Sequence, residues 1–212
     1  NASTENIESR GFNAANALQK PDINPDRDGY KRQSNALNLS QTFEAGYLGL
    51  MLRETKATVQ YDSEWGPAQQ ADESKSVLRN VLLKGQHALT AGYENTRQKI
   101  ASDTEYNPND RSVDSWRLGY QAKLDNQQWQ LNVRRDAYSD FGNANTWYAG
   151  YAFFITPALR VKASASTGFM APTFNDLYYP WGGNPQLRPE QAKSNELGLQ
   201  YLQANWHVRM TA

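Results

Sequence analysis

The chain has 212 residues, 22 basic and 22 acidic side chains, two histidines and no cysteine. Balanced charge argues against a nucleic-acid surface, and the lack of cysteine excludes disulfides, thiolate nucleophiles and cysteine-based metal sites. A mean hydropathy of −0.81, with no apolar run near the roughly 20 residues of a membrane helix, excludes a helical membrane bundle.

Strands are predicted, in chain order, near 3–12, 31–43, 46–61, 77–83, 86–98, 112–124, 127–137, 145–155, 158–169, 194–203 and 205–212. The clearest of them switch sides at every second residue. Trp116, Leu118, Tyr120, Ala122 and Leu124 share one face, against Arg117, Gly119, Gln121 and Lys123. Trp129, Leu131 and Val133 oppose Gln128, Gln130, Asn132 and Arg134, and Leu159, Val161, Ala163 and Ala165 oppose Arg160, Lys162, Ser164 and Ser166. Successive side chains of a strand point to opposite faces, so each segment has one apolar and one polar surface. A membrane β-barrel needs only alternate residues to be apolar, and strands of about ten residues match a tilted membrane crossing. Aromatic residues at 12% fit the interfacial girdles of such a wall.

Trp116, Leu118, Tyr120, Leu159, Val161 and Ala163 are therefore expected to face outward, with Leu159 near the middle of the wall, and Arg117, Lys123, Arg160 and Lys162 inward. Arg134 and Arg135 straddle the two faces. Short links are predicted at Glu44-Ala45, Lys84-Gly85, Asp125-Asn126, Thr156-Pro157 and Ala204, and long ones near 13–30, 62–76, 99–111, 138–144 and 170–193. Short and long alternate, as do the periplasmic turns and extracellular loops of outer-membrane barrels. The fold class is all-β: an antiparallel transmembrane β-barrel wall of about eleven strands. Bacterial single-chain barrels use even strand numbers, so the wall is expected to be incomplete and the chain to be cut at both ends.

The most specific text lies between 168 and 198. It runs Gly168, Phe169, Ala171, Pro172, Leu177 and Tyr178, then Gly183, Asn184, Pro185, Leu187, Pro189 and Glu190, then Glu196 and Gly198. Spacing and order resemble the barrel of TonB-dependent outer-membrane receptors, whose pattern is close to G-F-x-A-P-x-x-x-x-L-Y, G-N-P-x-L-x-P-E and E-x-G. Arg134-Arg135-Asp136 to Phe141-Gly142 also looks like this family, and within it like the vitamin B12 (cobalamin) receptor branch. The resemblance implies a place in the bacterial outer membrane, amid its lipids, and no enzymatic activity. It implies a nutrient ligand such as cobalamin or a siderophore, imported with energy that TonB delivers to a plug domain inside a barrel of about 22 strands. On this reading residues 1–212 are one partial barrel domain without its plug. Two other readings remain open, a passive porin-like or structural barrel and a soluble carbohydrate-binding β domain.

In the Pro-rich loop, Pro172, Pro180, Pro185 and Pro189 fix φ while Gly182 and Gly183 permit turns, which predicts an ordered, non-repetitive connection. Glu190 and Glu196 are candidates to bond loop amides, and Tyr178, Tyr179 and Trp181 to face a ligand. Asp22, Asn24, Asp26 and Asp28 precede Gly29 at every second position, a spacing that can supply oxygens to calcium. An EF-hand is excluded, because Asn35 stands at its closing position. Vitamin B12 receptors hold calcium through aspartates of an early extracellular loop, which the Asp26-x-Asp28-Gly29-Tyr30 text resembles. A solvated turn rich in Asp and Asn is the alternative. His87 and His207 form no zinc pattern, and neither a P-loop nor a nucleophile elbow occurs.

Overall fold

The structure is a computed structural model that describes residues 1–10, 29–63 and 66–212. It contains strands β1 (Ala2–Ser9), β2 (Tyr30–Phe43), β3 (Gly46–Ser63), β4 (Gly66–Leu83), β5 (His87–Ser102) and β6 (Asp110–Leu124). Then follow β7 (Gln127–Tyr138), β8 (Gly142–Phe154), β9 (Leu159–Met170), a short helix α1 (Phe174–Tyr178), β10 (Glu190–Gln203) and β11 (Trp206–Thr211). The strands form one antiparallel sheet in sequence order, β1 to β11, so each is hydrogen-bonded to its chain neighbours. Antiparallel neighbours need no crossover connection, so consecutive strands can pair in a simple meander. β1 and β11 are paired on one side only, and the sheet is not closed on itself.

The interstrand register turns the alternation of single strands into two continuous faces. Leu48, Val81, Ala91, Leu118, Val133 and Trp147 are successive partners from β3 to β8. One position along, the row reads Gly49, Asn80, Gly92, Arg117, Arg134 and Thr146. The apolar row is open, with Leu118 61% and Val133 53% exposed, whereas buried apolar side chains are few. A water-soluble fold would cover a patch of this extent; here lipid is its solvent. Leu159, Val161 and Ala163 share this face through their partners Tyr201, Phe153 and Tyr151, as expected, and Arg117, Lys123, Arg160 and Lys162 lie on the other. Arg134 is on the polar face, and Arg135, the partner of Trp116, is on the apolar one.

Two expectations need correction. Leu159 is not at mid-wall: it opens β9, next to the short link 155–158, and the middle of the band is held by residues such as Leu118. The predicted long connection at 62–76 is not a loop either. β3 and β4 are both 18 residues long and stay paired to Ser63↔Gly66. A crossing needs about 9–11 residues, so this hairpin projects well beyond the bilayer. Up there both faces meet water, so residues 66–76 are strand without any apolar alternation to announce them.

The ends of the other long connections also shorten, to 103–109, 139–141 and 171–189, all on the rim shared with the β3–β4 hairpin. The opposite rim carries the tight links, among them Asp125, whose φ of 45° suits a two-residue hairpin turn. A small core lies under the rim of long connections: Ile100, Tyr106 and Phe174, with Tyr178 packed against them.

Candidate functional site

The 171–189 connection folds back over the polar face and is fastened there by Arg111. This side chain leaves β6, opposite Gln98 of β5, and is 9% exposed. Its Nε donates to Gln98 Oε1 at 2.6 Å and Nη1 to the Pro172 carbonyl at 2.8 Å. Nη1 also lies 3.7 Å from Asp140 Oδ2, in the 139–141 link. The guanidinium covers the Phe174 ring, 4.9 Å from its centroid, and lies 5.6 Å from that of Tyr138. A planar cation with several fixed donors can hold a carboxylate, a carbonyl and a ring face together, which an ammonium cannot do as well.

Beyond Pro172 the loop builds its own frame. Thr173 caps α1, accepting from the Asp176 amide at 3.2 Å, while Asp176 Oδ2 accepts from the Thr173 amide at 2.8 Å. This is a reciprocal capping box. The bonds from Thr173 hold the Asp176 carboxyl below its ordinary range. Because the folded value is depressed, the contribution is full above the usual Asp range of about 4 and is lost as pH falls through the folded value. Proteolysis at Arg188 of the intact receptor is expected to accelerate in acid, and Asp176→Ala should show that faster cleavage already at neutral pH.

Gly183 closes the frame. A Cβ there would stand 2.6 Å from the Tyr179 amide nitrogen and 2.8 Å from the Leu177 carbonyl oxygen, so only glycine permits the approach. Asn184 then donates its amide to the Asp176 carbonyl at 2.8 Å and accepts from the Gln186 amide at 3.0 Å. The loop amides are thus held by Thr173, Asp176 and Asn184. Glu190 and Glu196 both lie in β10, opposite Met170 and Ser164.

The remaining motif positions divide between strand and loop. Gly168 and Phe169 lie near the end of β9, Gly198 is buried in β10 against Lys162, and Leu177 is fully buried, whereas Leu187 is exposed. Ala171, Pro185 and Pro189 shape the two ends of the connection. Of the three candidate ligand-facing aromatics, Tyr178 turns inward, its hydroxyl donating to Asp140 Oδ2 at 3.3 Å. Burial first, and then the Asp140 charge, push this phenol up, so it stays a donor. Tyr179 and Trp181 are exposed, their rings edge to face at 5.4 Å. Asp22, Asn24, Asp26 and Asp28 lie outside the described residues. Among the described residues no group of three or more His, Asp or Glu is arranged to hold a metal ion.

Beside the pinned loop the polar face forms a cavity of about 340 Å³, lined by Thr55, Gln70, Asp72, Gln98, Thr173 and Asn175 among others. Ala57, Ile100 and Phe174 add apolar surface to these amides, hydroxyls and carboxylate, a lining suited to a solute with both polar and apolar parts. Deeper on the same face, Arg134 Nε donates to both oxygens of Asp136 at 2.9 Å, and Ser115 bridges the pair. Toward the short-turn rim a cavity of about 470 Å³ is lined by Lys123, Arg160, Lys162 and Glu196 among others.

The sequence reading missed Arg111, Gln98 and Asp140. The Thr173-x-x-Asp176 spacing after Pro172 was a legible helix start. Nothing local marks Arg111, whose loop partner is 61 residues away.

An outward apolar band, a polar inner face and a loop pinned over that face at one rim define a transmembrane β-barrel wall. A family model described as TonB dependent receptor-like, beta-barrel, matches residues 3–212, and the chain belongs to that family, whose barrels reside in the bacterial outer membrane. It is 39% identical over 112 residues to the vitamin B12 transporter BtuB of Photobacterium profundum, covering 52% of this chain and 18% of that protein. It is 37% identical over 130 residues to BtuB of Vibrio vulnificus, covering 59% and 21%. The chain thus spans about a fifth of the length of these two curated relatives. A mutant of the ferric enterobactin receptor PfeA from Pseudomonas aeruginosa has the same fold, with a TM-score of 0.83 at 14% identity over 99% of this chain and 38% of that one.

Proposed function

We propose that this chain forms part of the wall and outer rim of a receptor that binds a scarce nutrient, of cobalamin or siderophore kind, and imports it with energy that TonB delivers through a plug domain. The observation that carries this reading is the 171–189 loop, fixed by Arg111 beside a cavity at the rim of long connections. A rigid, loop-built rim can select a large solute, whereas an unselective pore gains nothing from it. Relatives named as vitamin B12 transporters and a similarly folded ferric enterobactin receptor support the choice of solute classes. No covalent chemistry is part of the proposal; the family consists of receptors and transporters.

The test is uptake of labelled cyanocobalamin and of ferric siderophores by cells whose only receptor of this kind is the intact protein. Uptake that saturates and disappears without TonB is expected. Uptake that persists without TonB would instead establish a passive porin-like barrel.

Calcium belongs to the same proposal. Asp22, Asn24, Asp26 and Asp28 offer a hard cation its preferred oxygens, and holding these side chains together without one is repulsive. Calcium is expected to slow cleavage of the intact receptor at Arg27 and Lys31, and Asp26→Asn with Asp28→Asn to abolish the effect. Calorimetry without a binding signal at millimolar calcium would leave the segment as turn chemistry.

A further inference from the structure

The polar face carries, toward the tight links, a hollow that neither the wall nor the pinned loop requires. Two register rows from β6 to β10 build it. One reads Gln121, Gln130, Gly150, Ser164 and Glu196; the other, nearer the links, reads Lys123, Gln128, Ala152, Lys162 and Gly198. Gly150, Ala152 and Ser164 bring almost no bulk to the centre of these rows, so the floor there is close to bare backbone. The cavity of about 470 Å³ that results falls within the range of about 300–1,000 Å³ usual for small-molecule sites.

Its charged lining is Lys123, Arg160 and Lys162 against Glu196 alone. Neither lysine, nor Glu196, is in an ion pair among the described residues. Arg160 is held by a neutral partner: its Nε and Nη2 donate to Gln200 Oε1 at 3.0 and 2.7 Å, and the guanidinium is 5.5 Å from the Phe154 centroid. Gln200 is itself buried, with its Nε2 3.0 Å from His207 Nε2. An amide orients the cation without cancelling its charge. Lys162 lies across Gly198, where a Cβ would stand 2.7 Å from its Cε, and so keeps its stem out of the hollow's centre. A cleft lined mostly by one sign of charge focuses the field and draws the opposite charge in.

We propose that this hollow binds an oxyanion-bearing solute, one with a phosphate or carboxylate group, at the tight-link mouth of the lumen. The excess of cations selects the charge, and the amides of Gln121, Gln128 and Gln130 offer donors to the remaining oxygens. The space is far larger than one phosphate, so the anionic group is part of a larger molecule. Lysine ammoniums on flexible stems hold it loosely, as a station on a path of passage requires, since a solute bound there must also leave. That this solute is the imported nutrient on its way out rests on the receptor reading above; the anion site itself does not.

The chain has no cysteine, so Ser164→Cys gives it a single thiol, on the floor of the hollow. The test is the rate at which that thiol reacts, in the purified intact receptor with any cysteine elsewhere replaced by serine. The reagents are the anionic sulfonatoethyl and the cationic trimethylammonioethyl methanethiosulfonates, each rate divided by that on a free thiol in solution. The anionic reagent is expected to be favoured about 10-fold, the lower end of what a charged cleft does to encounter rates. Lys123→Gln with Lys162→Gln should reduce the preference to about twofold or less, whereas Lys123→Arg with Lys162→Arg should keep it. Millimolar pyrophosphate should protect the thiol when both lysines are present, and sodium chloride of equal ionic strength should protect it less. Equal rates for the two reagents, a preference that survives the glutamine pair, or no protection by pyrophosphate overturns the proposal. A thiol that neither reagent reaches would show that another part of the receptor fills the hollow, and overturns it as well. No transport enters these rates, so uptake that ignores TonB would remove the receptor reading and leave the anion site standing.

Discussion

Leu118→Arg is expected to destabilise the intact receptor in bilayers by about 2–4 kcal/mol, the usual cost of a charge on the lipid face at mid-depth. Leu118 is 61% exposed and is flanked by Ala91 and Val133 on the adjoining strands. No carboxylate stands beside it in that row, and apolar neighbours above and below leave the guanidinium a long way to snorkel. Leu159→Arg is the internal comparison: at the start of β9, beside a short link, it should cost only about 0–1 kcal/mol. Reversible denaturant unfolding in lipid vesicles measures both. Equal costs at the two positions would mean that the apolar band is not centred where the register places it.

The second large effect concerns Arg111. Arg111→Ala removes the cation beside Asp140, whose side chain is 4% exposed, and leaves the Pro172 carbonyl and Gln98 without their donor. Breaking a buried pair by deleting one partner costs about 3–5 kcal/mol, because the other charge stays behind. Asp140 already has one carboxylate oxygen without a hydrogen-bond partner, so little is left to compensate. The expected result is a released 171–189 loop, faster cleavage at Arg188 and a raised KM for uptake. Asp140→Asn in the same background should recover part of the loss, since it removes the stranded charge. Arg111→Lys should recover less, as one ammonium cannot reach Gln98, Pro172 and Asp140 together. An unaltered cleavage rate in Arg111→Ala would show that the capping box and Gly183 hold the loop unaided.

The two faces were legible in single strands, because side-chain direction in a strand has a period of two and needs no partner to define it. Trp116, Leu118 and Tyr120, or Val161 and Ala163, could be assigned from their spacing, and the 168–198 text carried the family. What spacing could not decide is whatever depends on which strand lies beside which, and on how far each rises above the membrane. The strand from 66 to 76 was invisible because its residues show no apolar alternation, and backbone pairing with β3 and, from Gln70 on, with β5 keeps it extended. Arg111 was silent for the related reason that its environment is assembled from β5, β6 and two connections. Local periodicity fixes direction, but neighbourhood is set by long-range pairing, and sites are made of neighbours.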